Sequence, residues 1–264
     1  FKRAGLLGNP FIFEDRMAEA IRDYSAVIAR AADLKWAPEK LQRAYEQRLL
    51  LYEEQGDYDK AIADCTELLK LDPQSARLFF RRGGLQRDKN EHEKAVRDYD
   101  QAILLDPQQA GYYNARGEVY YKLKLHDKAL ADYDRAIELS PKFFWPHFNR
   151  GLVHDSRKEW ANAIADFDKA LELRPQHAPS LNNRAVAYVH QKEWDKALAD
   201  LDRAIALEPK IANTYNTRGA VYRNKGDLDK ALADFTQAIA LDPKLVLAYQ
   251  NRAKIYRQQN KTTE

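Results

Sequence analysis

Residues 212–245, ANTYNTRGAVYRNKGDLDKALADFTQAIALDPKL, decide the fold. Tyr215, Gly219 and Tyr222 stand at i, i+4 and i+7, the spacing of one helix face, and Ala231, Phe235 and Ala238 set out a second face after a break. Gly226 and Asp227 make the break, since glycine tolerates a left-handed helix end and aspartate caps the next helix. Pro243, behind Asp242, stops the second helix because proline lacks an amide donor and restricts the residue before it. A helical hairpin follows, with the small Gly219 and Ala231 at the close approach and Tyr215, Tyr222 and Phe235 packed around it.

The same pattern recurs on both sides at a step of 34 residues. Pro73, Pro107, Pro141, Pro175, Pro209 and Pro243 mark it, as do Ala61, Ala95, Ala129, Ala163, Ala197 and Ala231. Gly83, Gly117, Gly151 and Gly219 share one position, with Ala185 filling the gap. A fixed period of this length signals a solenoid, in which each unit buries its apolar face only against its neighbours. Function is then expected on surfaces, not in one deep pocket. Six units are expected over 42–245, starting at residues 42, 76, 110, 144, 178 and 212. Beyond them, 246–264 restarts a first helix with Tyr249 and Tyr256 as a cap and ends in a polar tail. Over 1–41, Ala20, Ile21, Asp23 and Tyr24 imitate a second helix, but the step to Ala61 is 41, so an insertion is expected around 31–40. Residues 5–10 read as irregular.

The order aromatic, Gly, Tyr, Ala, aromatic, Ala, Pro resembles the tetratricopeptide repeat family over 42–245. The resemblance implies an all-α, right-handed superhelical solenoid of antiparallel helix-turn-helix repeats, with the first helices lining a concave groove.

Composition narrows the partners. Lys and Arg number 43 against 40 Asp and Glu, a net charge of +3 with both signs mixed along the chain. Phosphate binding wants a concentrated basic stripe, so nucleic acid is not the expected partner. Cys65 is the only cysteine, which excludes an internal disulfide and a cysteine-built metal site. No apolar run approaches a membrane span. The chain opens at Phe1, so an upstream segment is expected to have been removed, and the compartment stays open between cytoplasm and, after loss of a signal peptide, periplasm or exterior.

Arg48, Arg82, Arg116, Arg150, Arg184, Arg218 and Arg252 recur where the family pattern usually has leucine. Asp64, Asp98, Asp132, Asp166, Asp200 and Asp234 recur sixteen residues after an arginine, at equal distance from the turn. Antiparallel helices would bring the two to one height. A ladder of ion pairs is expected, since a row of carboxylates would neutralise an anion-binding stripe.

Transferred from the family, the second, fifth, sixth, ninth and twelfth positions of each unit face the groove. They give Arg43, Arg77, Arg81 and Arg87 with Glu46 and Glu53. Arg77 and Arg81 sit where chaperone-binding members hold a peptide C-terminal carboxylate, but Gln47 replaces an expected asparagine, so the cluster is either that clamp or a solvated basic rim. The segment 143–148, FFWPHF, is the most aromatic in the chain. Phe143, Phe144 and His147 read as packing between units; Trp145 and Phe148, with Tyr121, take groove positions and either meet a ligand or join that packing. Asn114, Asn149, Asn182, Asn183, Asn216 and Asn251 fall at fifth or sixth positions, where amides either pair with an extended peptide backbone or are simply solvated.

No phosphate loop, GxSxG elbow or HExxH pair is present, and the six histidines show no metal-ligand spacing. No catalysis, cofactor or metal is expected. The reading is a protein-interaction module that binds a peptide or protein segment in its groove as an adaptor or assembly scaffold. The alternatives are a module that self-associates through its cap or convex face, and the regulatory part of a longer enzyme.

Overall fold

The computed structural model describes residues 10–31 and 38–261, and every regular element among them is an α-helix. Contacts group the chain into two compact units, 1–125 and 126–264. The first holds α1 (Pro10–Ala31), α2 (Pro38–Gln55), α3 (Tyr58–Leu71), α4 (Ala76–Asp88), α5 (His92–Leu105) and α6 (Ala110–Lys122). The second holds α7 (His126–Leu139), α8 (Phe144–Ser156), α9 (Trp160–Leu173), α10 (Ala178–His190), α11 (Trp194–Leu207), α12 (Ala212–Lys225), α13 (Leu228–Leu241) and α14 (Val246–Lys261). Helices adjacent in sequence pack as hairpins: α2 with α3, α4 with α5, α8 with α9, α10 with α11, and α12 with α13. The fold is an all-α solenoid of helical hairpins.

Local chemistry sets the boundaries. Asp72, Asp106 and Asp242 accept the backbone amide two residues on, at 3.3, 3.3 and 2.9 Å, so each Asp-Pro step is an Asx turn that launches the next helix. Asp57 and Asp227 cap α3 and α13 through the amides of Lys60 and Lys230. The turn inside each hairpin needs one left-handed residue, and these lie 34 apart: Gly56, Asn90, Lys124, Lys158, Lys192 and Gly226, with φ between 59° and 86°. A lysine there carries a steric cost that glycine avoids. The Lys158→Gly, Lys192→Gly double variant is therefore expected to gain about 1–2 kcal/mol against urea; an unchanged midpoint would mean the turns tolerate the strain at no cost.

The core follows the period. Ala95, Ala163, Ala197 and Ala231 are fully buried. At each hairpin's centre a small residue meets a large one. A methyl group placed on Gly83, Gly151 or Gly219 would lie 2.8, 2.7 or 2.8 Å from the ring of Tyr99, Phe167 or Phe235. Where Ala185 replaces glycine, its cluster holds Leu201 in place of the ring; where Leu49 stands, its cluster holds Cys65.

The charge ladder forms, with a rung that was not expected. Arg48, Arg82, Arg150, Arg184 and Arg218 each make a two-pronged bond to the aspartate sixteen residues on, at 2.6–2.9 Å. The third guanidinium nitrogen reaches back sixteen residues. Arg116, Arg150, Arg184 and Arg218 bond Asp100, Asp134, Asp168 and Asp202, while Arg82 and Arg252 bond Thr66 and Thr236. Arg150, Arg184 and Arg218 thus tie the second helix of their own hairpin to the one before it.

The backward rung also places the N-terminal segment. Arg48 donates to Ser25, which lies 41 residues before Thr66, and α1 packs on α2. Of the expected insertion around 31–40, Ala31 closes α1 and Pro38 opens α2, while 32–37 lie outside the described residues, as do residues 5–9 of the segment read as irregular.

Candidate functional site

Because the repeated positions are closed by their own partners, the candidate surface is what varies along the first helices. In the 1–125 unit, Arg77 and Arg81 share a cavity of about 380 Å³ with Gln42, Glu46, Gln47 and Leu50. The two arginines differ in state. Arg81 already holds a carboxylate, Glu53, through two bonds of 2.8 and 2.6 Å, and that partner raises its pKa. Arg77 is exposed and makes no ion pair among the described residues. The predicted pair therefore offers one open cation, because Glu53, one unit earlier on the same face, satisfies the other. Arg43 is exposed on α2. Arg87 bonds Asp88 and Glu118, and Glu118 also accepts from Asn114, which is 6 % exposed. Tyr121 is half-buried on α6.

In the 126–264 unit the aromatic segment opens α8. Phe144 and His147 are buried, as the packing reading has them, and His147 Nε2 lies 3.0 Å from the Pro141 carbonyl, the bond that Tyr215 makes to Pro209 in its own hairpin. Trp145 is 39 % exposed. Phe148 is half-buried, 5.9 Å from Phe144 and 6.0 Å from Phe167, so its ring belongs partly to the core of the α8–α9 hairpin. The two rings lie 6.3 Å apart.

The asparagines divide by environment. Asn149 is half-buried. Asn182 and Asn183 line a cavity of about 240 Å³ with Glu208 and Asn213, and the buried Asn182 Oδ1 has no hydrogen-bond partner. Asn216 is spoken for: its Oδ1 accepts from Asn251 at 3.1 Å, and Asn251 in turn accepts from Arg223. The row expected to meet a ligand is thus partly an internal network. Spacing places an amide on a face but does not say whether the neighbouring helix supplies its partner.

Asp155, at the twelfth position of its unit, was not singled out by the sequence. Its Oδ1 is buried without a partner, and burial raises its pKa, opposed by the charge of His190. A carboxyl with a raised folded-state pKa costs stability once the unfolded chain ionises, so the penalty is absent below the ordinary value of 3.8 and grows as pH rises. Asp155→Asn is expected to raise the melting temperature at neutral pH, by a gain of under about 1 kcal/mol after solvent screening, and to leave it unchanged at about pH 3. Equal gains at both pH values would assign the effect to packing.

Cys65 is fully buried, and burial pushes its thiol up to about 12, far from a reactive thiolate. Among the described residues no three His, Cys, Asp or Glu side chains are grouped to hold a metal ion, and no helix is long and apolar enough to cross a membrane.

Family models described as tetratricopeptide repeat or TPR repeat match residues 42–75, 83–124, 110–143, 145–177, 167–199 and 184–261. The chain belongs to the tetratricopeptide repeat family. No curated protein sequence is similar enough to be matched. Among solved structures, pilF of Pseudomonas aeruginosa is 22 % identical, with 82 % of this chain and 99 % of that one covered at a TM-score of 0.72. YrrB, described as a TPR protein with an unusual peptide-binding site, is 22 % identical over 72 % of this chain and 97 % of its own, at 0.62. A tetratricopeptide repeat protein of Parabacteroides merdae is 18 % identical over 94 % and 95 %, at 0.66. At these identities the likeness is one of fold.

Proposed function

We propose that this chain is a non-catalytic adaptor that binds an extended peptide or protein segment along the variable face of its first helices. The observation that carries the reading is Trp145. In a scaffold whose repeated side chains are paired or buried, this large ring is left exposed beside the buried Phe144. Exposed rings of this kind supply contact area at low entropic cost and dominate binding energy when covered. In the same 126–264 unit, Asn182, Asn183 and Asn213 line a cavity, amides of the type that fix an extended chain. The peptide-binding site named for YrrB supports the same use of the fold.

The test is selection from a displayed random-peptide library, with free and amidated C-termini, on the native chain and on Trp145→Ala. Ligands enriched on the native chain are expected to bind Trp145→Ala at least about tenfold more weakly, with the helical content unchanged. Ligands indifferent to Trp145, or no ligands at all, would overturn the reading. Phe148 is left in place, because its truncation would open the α8–α9 core.

A second reading has its own observation. α14 exposes Val246, Leu247, Tyr249 and Tyr256, at 63, 49, 41 and 50 %. Such an apolar face suits self-association. A mass that rises with concentration, and falls back in Tyr249→Ser, Tyr256→Ser, would favour it.

A further inference from the structure

One residue departs from the repeat where the aromatic segment does. The position before each repeated proline is Asp72, Asp106, Ser140, Arg174, Glu208 and Asp242. Asp72, Asp106 and Asp242 spend their side chains on the Asx turn. An arginine has no acceptor for that amide, so Arg174 gives up the local bond. Its guanidinium instead lies over Phe144, 4.4 Å from the ring centroid, and 5.3 Å from that of Trp145. Phe144 is itself a departure, standing where other units have Ala76, Ala110, Ala178 and Ala212. Both departures converge on one spot.

The spot is open to solvent. Arg174 is exposed and makes no ion pair among the described residues, unlike the ladder arginines. Residues 174–177 bound a cavity of about 390 Å³. A second guanidinium, Arg203, donates to the Pro175 carbonyl at 3.2 Å and holds the same connection. His177 closes the far side, 4.7 Å from Phe144 and 5.1 Å from Phe148, with Nδ1 bonded to Ser180. The ring contacts spend none of the guanidinium N–H groups of Arg174, which stay available to an acceptor.

We infer that Arg174 and Trp145 form a recognition subsite for an acidic peptide side chain flanked by a ring, the carboxylate taken by the guanidinium edge and the ring by the exposed indole. The inference rests on the peptide-binding reading above and gives that surface its ligand chemistry. A quaternary ammonium is a poor occupant of the same rings, because Arg174 already supplies the cation and would repel it. A carboxylate is attracted by the same charge and can accept two parallel bonds.

The experiment repeats the library selection on the native chain, Arg174→Gln and Arg174→Glu. Native selection is expected to enrich Asp or Glu next to Phe, Tyr, Trp or Pro. Arg174→Gln is expected to lose the acidic preference, keep the ring, and bind the native ligands about tenfold more weakly. Arg174→Glu is expected to select Lys or Arg at the acidic position. Arg174 is exposed, so both variants should keep native circular dichroism, and Arg203→Gln controls for a general loss of positive charge. An acidic preference that survives Arg174→Gln, or falls equally in Arg203→Gln, overturns the subsite while Trp145-dependent ligands leave the peptide-binding reading standing. Loss of Trp145-dependent ligands altogether removes both. Tighter Arg174-dependent binding of a labelled twelve-residue oligothymidine than of the enriched peptides would replace the carboxylate by a phosphate backbone and overturn the inference.

Discussion

Gly151→Leu is expected to destroy the packing of the α8–α9 hairpin, at a cost above about 3 kcal/mol. The first added carbon would sit 2.7, 2.9 and 3.1 Å from three atoms of the fully buried Phe167 ring, which has no free end to swing away. The gain in helix propensity on replacing glycine, about 1 kcal/mol, is too small to offset the clash. Gly151→Ala combined with Phe167→Leu is expected to fall within about 1 kcal/mol of the native chain, because Ala185 and Leu201 already make that exchange two helices on. Gly84→Ala serves as the opposite control: its added carbon would meet only the Tyr99 hydroxyl, at 3.9 Å, so the propensity gain is expected to appear as stabilisation. Urea denaturation of the three variants reads all of this, and a pair that fails to recover would place the strain elsewhere than in the Gly151–Phe167 contact.

The second large effect is expected at the ladder. Asp166→Ala should cost about 3–5 kcal/mol, since it removes a buried two-pronged partner and leaves Arg150 a charge it cannot shed. The Asp166 side chain is 6 % exposed, whereas that of Asp134, the other partner of Arg150, is 54 % exposed. Asp134→Ala should therefore cost under about 1 kcal/mol. Both partners raise the pKa of Arg150, Asp166 the more strongly, so the arginine stays charged in either variant. Replacing the buried pair together, Arg150→Met with Asp166→Leu, is expected to recover most of the loss, because burying two ions in water's absence costs nearly what their attraction returns. Equal losses at Asp166 and Asp134 would mean that burial does not set the value of a rung.

The hairpins were legible because a single period carries helix, turn and stop together. The candidate surface was legible only in part. Sequence position put Trp145, Arg77 and Asn182 on the variable face, and the structure leaves each of them with something unspent. It also put Arg81 and Asn216 there, and those two are used internally by Glu53 and Asn251, which lie 28 and 35 residues away. Arg174 carried a signal that spacing alone did not exploit: a basic residue at a position that is acidic in four of the five other units, Asp72, Asp106, Glu208 and Asp242.

Contacts that recur at one spacing can be read from the chain alone: the hairpin, the small residue facing a large one, the arginine facing its aspartate, the proline stop. Repetition makes these visible because each unit solves the same packing problem with the same residues. Side chains that occur once are committed by packing between helices. Phe148 turns toward Phe167, Trp145 stays exposed, and Arg174 leaves the turn to lie over Phe144. These outcomes depend on which neighbour from another helix is within a few ångströms, and a one-dimensional period holds no information about that.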